Sequence, residues 1–455
     1  MRYYCKSILY IILVEDSSNA NALGYSFVCR RGDLDREMFT REPTQRISSL
    51  PQLDDGLPYS HRHTLRTITV RDFDALASHV SAWDRLAWKA PQQIPTLLPG
   101  WVDAFLRHRL KPNESWFCSF AYAGDELVGV LPVIVTPHPI LGRRWPLLRT
   151  PFDEYTASGD IVLTEDHPGA VIHALLAEMH REVPWHLRLN LHAVRRSSPV
   201  WFARENGISG YVVRRGRLSM YSFLNVQGDF DDYLSSFGNM NRNLRRFRKK
   251  LEKVGHVSIE VRKGSAASED LLPEFLALEA SGWKGRNGTA ILNDPNATHF
   301  YTTLVQNFST CGYLEWHTIR VDERLIAAQL AVRCDTSLCL VKCAFDEEFA
   351  DCRPGALLTE VTFREGFSSP EIDEINPMSD SDAQRIWHMP HDEYVDVHLV
   401  RRSVLPILLQ LPHSVYQDYV RPRIPSVVKK AYRKIRREGD HKPRRAAEAA
   451  RLRQE

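Results

Sequence analysis

Apolar and polar positions alternate over residues 65–70, 116–122, 127–135, 160–163 and 187–191, a period of two that predicts strands. Between them, helical spacing runs over 74–88, 101–110, 170–181 and 198–205. Asp72 or Asp74 can cap the first of these helices. The Pro-rich stretch 91–99 reads as a loop. Gly124-Asp125 separates two strands as a hairpin turn. A strand is expected through 145–148 and a strand pair over 211–226.

The same order returns in the second half. Helices are predicted over 230–237, 239–254, 269–280, 295–308 and 355–367. Strands are predicted over 257–262, 314–321, 325–333, 337–345, 371–375 and 394–399. Asp125-Glu126-Leu127-Val128-Gly129 and Glu323-Arg324-Leu325-Ile326-Ala327 echo each other as turn-then-strand, one near the middle of each half. That echo predicts two copies of one α+β domain, each a mixed sheet flanked by helices. The expected units are an extension over 1–60, a first domain over 61–226, a second over 227–402 and a basic tail over 403–455.

Composition adds little, because 43% hydrophobic and 25% charged residues are ordinary for a globular chain. Charge is local rather than global. Residues 421–455 hold 13 Lys and Arg against 4 Asp and Glu, so the rest carries −6 of an overall +3. The eight cysteines form no C-x-x-C pair, and Cys339 and Cys343 lie in an apolar strand pattern. This spacing gives no metal site and fits a reducing, cytoplasmic compartment. No apolar run approaches the roughly 20 residues of a membrane span. The short run 8–14 is closed by Glu15 and Asp16, which argues against an export signal. The weak patterning before Met38 suggests that translation starts there. Residues 427–437, preceded by apolar residues 404–411, read as a basic helix for an anionic surface at the inner membrane or for nucleic acid, or else as a disordered, solvated tail.

Gly282-Trp283-Lys284-Gly285-Arg286-Asn287-Gly288-Thr289 is the densest chemical signal. Its glycines permit close approach of backbone to ligand, its two cations suit carboxylate or phosphate, and its indole offers a flat face. Arg353-Pro354-Gly355-Ala356 lies between a predicted strand and a predicted helix. Free amides and the helix dipole favour an anion at such a place. Asp346 ends the strand before it, and Glu315 and His317 share one strand face. Asp373 and Asn376 lie on the next strand, so the identity of a base stays open among these groups. Arg242, Arg245, Arg246, Arg248, Lys249, Lys250 and Lys253 surround one helix whose Leu244, Phe247 and Leu251 form an apolar face.

These stretches, together with Leu325-Ile326-Ala327-Ala328-Gln329, Ala344-Phe345-Asp346, Arg353 to Leu358 and Trp387, resemble a tandem acyl-CoA N-acyltransferase (GNAT) protein. The resemblance is to the bacterial CelD/BcsL cellulose-biosynthesis type, related to FemAB transferases, and covers about residues 235–390. It implies an acyltransferase with acetyl-CoA or another acyl-CoA as donor, no metal, and an amine or hydroxyl acceptor in cellulose or another exopolysaccharide. It implies donor contacts from Arg353, Pro354, Gly355 and Ala356, and catalytic groups among Asp346, Lys284 and Glu315. Acceptor contacts would come from Trp283, Gly285, Arg286, Gly288, Thr289, Asn376, Arg385 and Trp387. The chain departs from the pattern at Arg385, where the family has Lys. Two other expectations stand beside this one: a FemAB-like transferase using aminoacyl-tRNA, and a non-catalytic scaffold of a polysaccharide-export complex.

Overall fold

A computed structural model describes residues 65–201 and 208–415. The expected extension over 1–60, the start at Met38 and the basic helix over 427–437 lie outside the described residues, as does part of the expected helix over 198–205.

The first sheet contains β1 (Leu65–Val70), β2 (Ser115–Ala123), β3 (Glu126–His138), β4 (Gly142–Arg149) and β6 (Arg188–Arg195), with the short β5 (Val162–Leu163) paired to β3. The second contains β8 (Leu224–Asn225), β9 (Val257–Lys263), β10 (Leu314–Val321), β11 (Arg324–Cys334), β12 (Ser337–Phe345) and β13 (Glu374–Asn376). In each, four strands run antiparallel in chain order, and the next joins parallel after a helical crossover. The crossover helices are Pro168–Glu182 and Pro354–Ser368, 15 residues each. Both start at Pro-Gly-Ala behind a left-handed residue, His167 at φ 53° and Arg353 at φ 51°. This second echo escaped the reading of the sequence, because the helices share little beyond that tripeptide.

The turns follow from local chemistry. Gly124 at φ 63° turns β2 into β3, and Asp322 and Glu323, both at positive φ, turn β10 into β11. Helix Pro295–Cys311 starts at Asp294, whose carboxylate accepts from the Asn296 amide, and ends at Gly312 with φ 72°.

Two expectations are corrected. Residues 211–226 are not a strand pair within one domain. The chain leaves the first sheet at the end of β7 (Tyr211–Ser222), bends at Phe223, and enters the second sheet as β8. In addition, β14 (His391–Arg401), placed with the second domain by its position in the chain, lies in the first sheet between β6 and β7. Pairing across nearly 200 residues leaves no trace in local periodicity.

Three of the four apolar clusters among the described residues hold the layers. Leu175 and Met179 of helix Pro168–Glu182 cover one face of the first sheet. Leu358 and Phe363 of helix Pro354–Ser368 cover one face of the second. The largest cluster lies between, and both halves build it. Trp101 and Phe105 of helix Pro99–His108 pack on Phe300 and Phe308 of helix Pro295–Cys311. The Asn307 side-chain amide donates to the Gly100 carbonyl at 2.9 Å across this contact.

Asp160 makes the fold sensitive to pH. It is buried and accepts from the Gln92 side chain at 3.0 Å and the Ile161 amide at 2.7 Å. Burial pushes its carboxyl up from 3.8 to about 6, outweighing those hydrogen bonds. The folded state therefore holds this proton more tightly than the unfolded one. Stability from this group is full below 3.8 and falls as pH rises through about 6. Asp160→Asn is expected to remove that slope. Urea midpoints at about pH 4 and about pH 7 should show a relative gain on the order of 2 kcal/mol at the higher pH.

Candidate functional site

The site forms where β12 outruns its parallel neighbour. β12 pairs with β13 only at Ser337, Leu338 and Cys339. Residues 340–345 run on, and among the described residues no strand pairs with them on that side. That edge of β12 is therefore unpaired over residues 340–345. On its other side β12 carries a bulge: Leu330 faces Lys342 and Ala331 faces Leu340, so Val341 has no counterpart. The buried Gln329 amide holds the bulge by donating to the Leu330 and Lys342 carbonyls at 2.8 and 3.0 Å.

The strand runs into a tight turn, Glu347–Cys352, and then into helix Pro354–Ser368. Arg353 is exposed at the N-terminus of this helix, and Pro354 occupies its first position. Gly355 and Ala356 are half-buried there. A Cβ on Gly355 would stand 3.3 Å from the Phe345 ring. Arg353, Pro354, Gly355 and Ala356 thus meet at one helix end beside the end of β12. The Gly355 amide, the dipole of a 15-residue helix and one guanidinium suit a phosphate.

Asp346 also lies at this turn, but its oxygens are engaged. One accepts from the Glu348 amide at 3.0 Å, and the other pairs with Arg324. It closes the turn as a cap.

The glycine-rich stretch forms a single helical turn, Trp283–Arg286. Gly285 is required by packing, since a Cβ there would meet the Ala280 carbonyl oxygen at 1.8 Å. Gly288 stands at φ 71°. The Thr289 amide closes the turn onto the Lys284 carbonyl at 2.8 Å. Glu347 fastens this turn to the one before the helix: it accepts from the Trp283 amide at 2.8 Å and pairs with Arg286 at 2.5 Å. Arg286, then the Trp283 amide, hold the Glu347 carboxyl below its usual range. Trp283 is about half exposed. Lys284 Nζ lies 3.1 Å from Glu279 Oε1, while Glu279 Oε2 accepts from the Ile291 amide at 2.9 Å.

The remaining expected residues lie elsewhere. Glu315 is buried 3.3 Å from His317 Nε2 on β10, two strands from β12. It alternates with Trp316, which joins the central cluster, so it faces the opposite layer from that cluster. Asn376 is wholly buried, donating to Glu374 at 3.0 Å and accepting from the Met378 amide at 2.7 Å. Arg385 pairs with Asp380 at 3.0 Å and Asp382 at 3.4 Å. Trp387 is a core residue against Phe363 and Phe237. The turn 283–289 and the residues 346–356 therefore come together; Glu315, Asn376 and Trp387 do not join them.

Lys342 was missed. It is the single cation of its strand, Ser337–Phe345, and that strand's apolar composition was read as plain core.

The basic helix Met240–Glu252 packs Leu244 and Leu251 inward and lies beside helix Pro354–Ser368 and the turn before it. Arg248 pairs with Glu360 at 2.8 Å, and Lys250 with Asp351 at 3.2 Å. Arg242, Arg245, Arg246, Lys249 and Lys253 form no ion pair among the described residues. They line a shallow, open depression together with Lys250.

With this geometry in view, residues 238–371 match the family model described as an acetyltransferase (GNAT) domain. FemX shares the fold at a TM-score of 0.53 and 11% identity, over 76% of this chain and 100% of FemX. A tandem GNAT protein from the clavulanic acid biosynthesis pathway aligns at 0.40 and 15% identity, over 75% of this chain and 100% of that one. The C-terminal domain of a lysylphosphatidylglycerol synthetase described as such in Agrobacterium fabrum aligns at 0.42 and 8% identity, over 75% and 97%. No curated protein matches. The chain is an α+β protein with the GNAT fold, mixed sheets flanked by helices, and its first half repeats the strand order of the second. Among the described residues no helix is long and apolar enough to cross a membrane, and no His, Cys, Asp or Glu group is arranged to hold a metal.

Proposed function

We propose that this chain is an acyltransferase that moves an acyl group, acetyl in the first instance, from acyl-CoA to an amine or hydroxyl of a saccharide acceptor. One observation carries the reading: the unpaired edge of β12 leads directly to a helix N-terminus bearing Arg353. A thioester lying along that edge would place its pyrophosphate on the Gly355 amide and the Arg353 guanidinium. The acceptor would approach from the layer of Trp283 and Lys284. Direct attack on the thioester carbonyl forms the new C–N or C–O bond, expels the CoA thiolate and leaves one proton to be taken up. Holding both reactants at this edge supplies much of the rate. The first half would frame the acceptor and support the core that both halves share. A role in cellulose or exopolysaccharide synthesis, in the cytoplasm or against the inner membrane, is part of this proposal.

The test is thermal unfolding of the full chain with acetyl-CoA and, separately, with free CoA. Ligand at about 100 times its Kd adds roughly 2.7 kcal/mol to stability. A clear rise in Tm with acetyl-CoA supports the reading. A flat response to acetyl-CoA and to longer acyl-CoAs removes it.

A second reading has its own observation, the unpaired cations of helix Met240–Glu252 beside the same helix N-terminus. They suit a polyanionic donor carrier such as aminoacyl-tRNA. That reading expects binding of charged tRNA to weaken steeply with salt, in proportion to the phosphates engaged.

A further inference from the structure

The Lys342 side chain has an unusual setting. The bulge at Val341 turns both Val341 and Lys342 toward the central layer. There the Lys342 ammonium lies over two rings, 5.3 Å from the centre of Tyr155 and 5.9 Å from that of Tyr301. Tyr155 comes from the first half of the chain and Tyr301 from helix Pro295–Cys311. Among the described residues Lys342 forms no ion pair. The nearby carboxylate of Glu279, on helix Leu272–Ser281, is already held by Lys284 and the Ile291 amide.

The charged and titratable groups around the amine come from every neighbouring element. Lys284 faces it from the turn Trp283–Arg286, Glu279 from helix Leu272–Ser281, Cys343 from its own strand and Glu154 from the first half. Tyr155 and Tyr301 enclose it, and Arg109 lies over the Tyr155 ring at 4.8 Å. Burial, then the like charge of Lys284, bring the amine down from 10.5 to about 8, with Glu279 opposing. A fraction of it is therefore neutral at physiological pH. It stands on the strand whose free edge is the proposed donor site, three positions past the last residue paired with β13.

We propose that the Lys342 amine is the base that takes the proton of the attacking acceptor. The assignment rests on the acyl-transfer reading above. The acceptor N–H or O–H attacks the thioester carbonyl, the C–S bond breaks, and the CoA sulfur leaves with the electron pair. The acceptor proton passes to the Lys342 nitrogen, and the ammonium returns it to the thiolate or to water, so that the amine is restored. Lys284 works on the same amine by repulsion, and Glu279 keeps Lys284 in place.

The experiment uses the full-length protein and limiting acetic anhydride across a pH series, with peptide mass spectrometry. Labelling of each lysine is normalised to its own plateau. Lys342 is expected to reach half its plateau near pH 8. At that pH its normalised rate should exceed that expected of an ordinary lysine by about a hundredfold. A non-reactive thioether analogue of acetyl-CoA should suppress labelling of Lys342 and leave Lys253 unchanged. Thiol release from acetyl-CoA, with glucosamine or water as acceptor, should follow the Lys342 midpoint in the wild type. In Lys342→Met it should fall by on the order of a hundredfold with the analogue still bound, and Lys342→Arg should not restore it.

A midpoint at the ordinary lysine value overturns the assignment. So does bound analogue that leaves Lys342 unprotected, or Lys342→Met releasing thiol at the wild-type rate. Wild-type protein that neither binds the analogue nor releases thiol instead sinks the acyl-transfer reading itself.

Discussion

Arg195→Ala is expected to destabilise the fold by about 3–5 kcal/mol, the range for removing one partner of a buried charged network. Arg195 sits on β6 with its side chain almost wholly enclosed. Its Nη1 donates to the Gln92 carbonyl at 2.5 Å and its Nε to the Tyr221 hydroxyl at 3.0 Å. Its Nη2 reaches Glu374 of β13 at 3.3 Å. Glu374 in turn accepts from Ser337 of β12 at 3.2 Å and from Asn376 at 3.0 Å. One guanidinium therefore ties the first sheet to β13 and, through Glu374, to β12, whose edge beyond Cys339 is unpaired.

Alanine would leave the Glu374 carboxylate without its cation and the Gln92 carbonyl without that donor. A loss of this size is a large part of the roughly 5–15 kcal/mol that holds a typical protein folded. Urea unfolding should show a much lower midpoint, or the variant should fail to accumulate in soluble form. Arg195→Lys should recover only part of the loss, because an ammonium cannot donate in three directions with the geometry of a guanidinium. A measured loss below about 1 kcal/mol for alanine, the value of an exposed ion pair, would mean that the network carries little of the coupling.

The same network marks the limit of what the sequence could disclose. Expected strands at 65–70, 314–321 and 337–345 are found where alternation placed them. Both hairpin turns follow from their turn residues, and helix Pro295–Cys311 follows from its cap signals. These features are local, and local chemistry determines them. The return of β14 to the first sheet depends on partners far away in the chain. Asn376 and Trp387 carry the polar and aromatic character of ligand contacts, yet burial assigns them to hydrogen bonding and packing. Gly285 suggested close approach of backbone to a ligand, whereas its missing Cβ makes room for the Ala280 carbonyl inside a helical turn. Lys342 shows the converse. Its strand pattern reads as core, and only the bulge explains how a lysine there reaches the layer of Lys284 and Glu279. The joining of the turn 283–289 to residues 346–356 was legible as a grouping but not as a mechanism. Glu347, the residue that makes the connection, looked like any other surface carboxylate.

Arg353→Glu should lower acetyl-CoA affinity by about a hundredfold or more and leave the unfolding midpoint of the free protein nearly unchanged. Arg353 is exposed, and no side-chain hydrogen bond caps the helix from this position, so its guanidinium adds little to the fold. Its location at the N-terminus of a 15-residue helix matters when a phosphate arrives. Loss of one charge-assisted hydrogen bond costs about 1.5–3 kcal/mol. Reversal also sets a carboxylate against the incoming anion, which brings the total to the stated factor or beyond. Backbone strain does not confuse the comparison, because both side chains must adopt the same positive φ of 51°. Gly355→Trp provides a second route to the same end. Its Cβ would stand 3.3 Å from the Phe345 ring, and the indole beyond it would obstruct the proposed phosphate position at this helix end. Titration calorimetry with acetyl-CoA on both variants and the wild type measures the effect. If the wild type binds and both variants bind equally well, the donor lies elsewhere on the molecule, and the edge of β12 has another use.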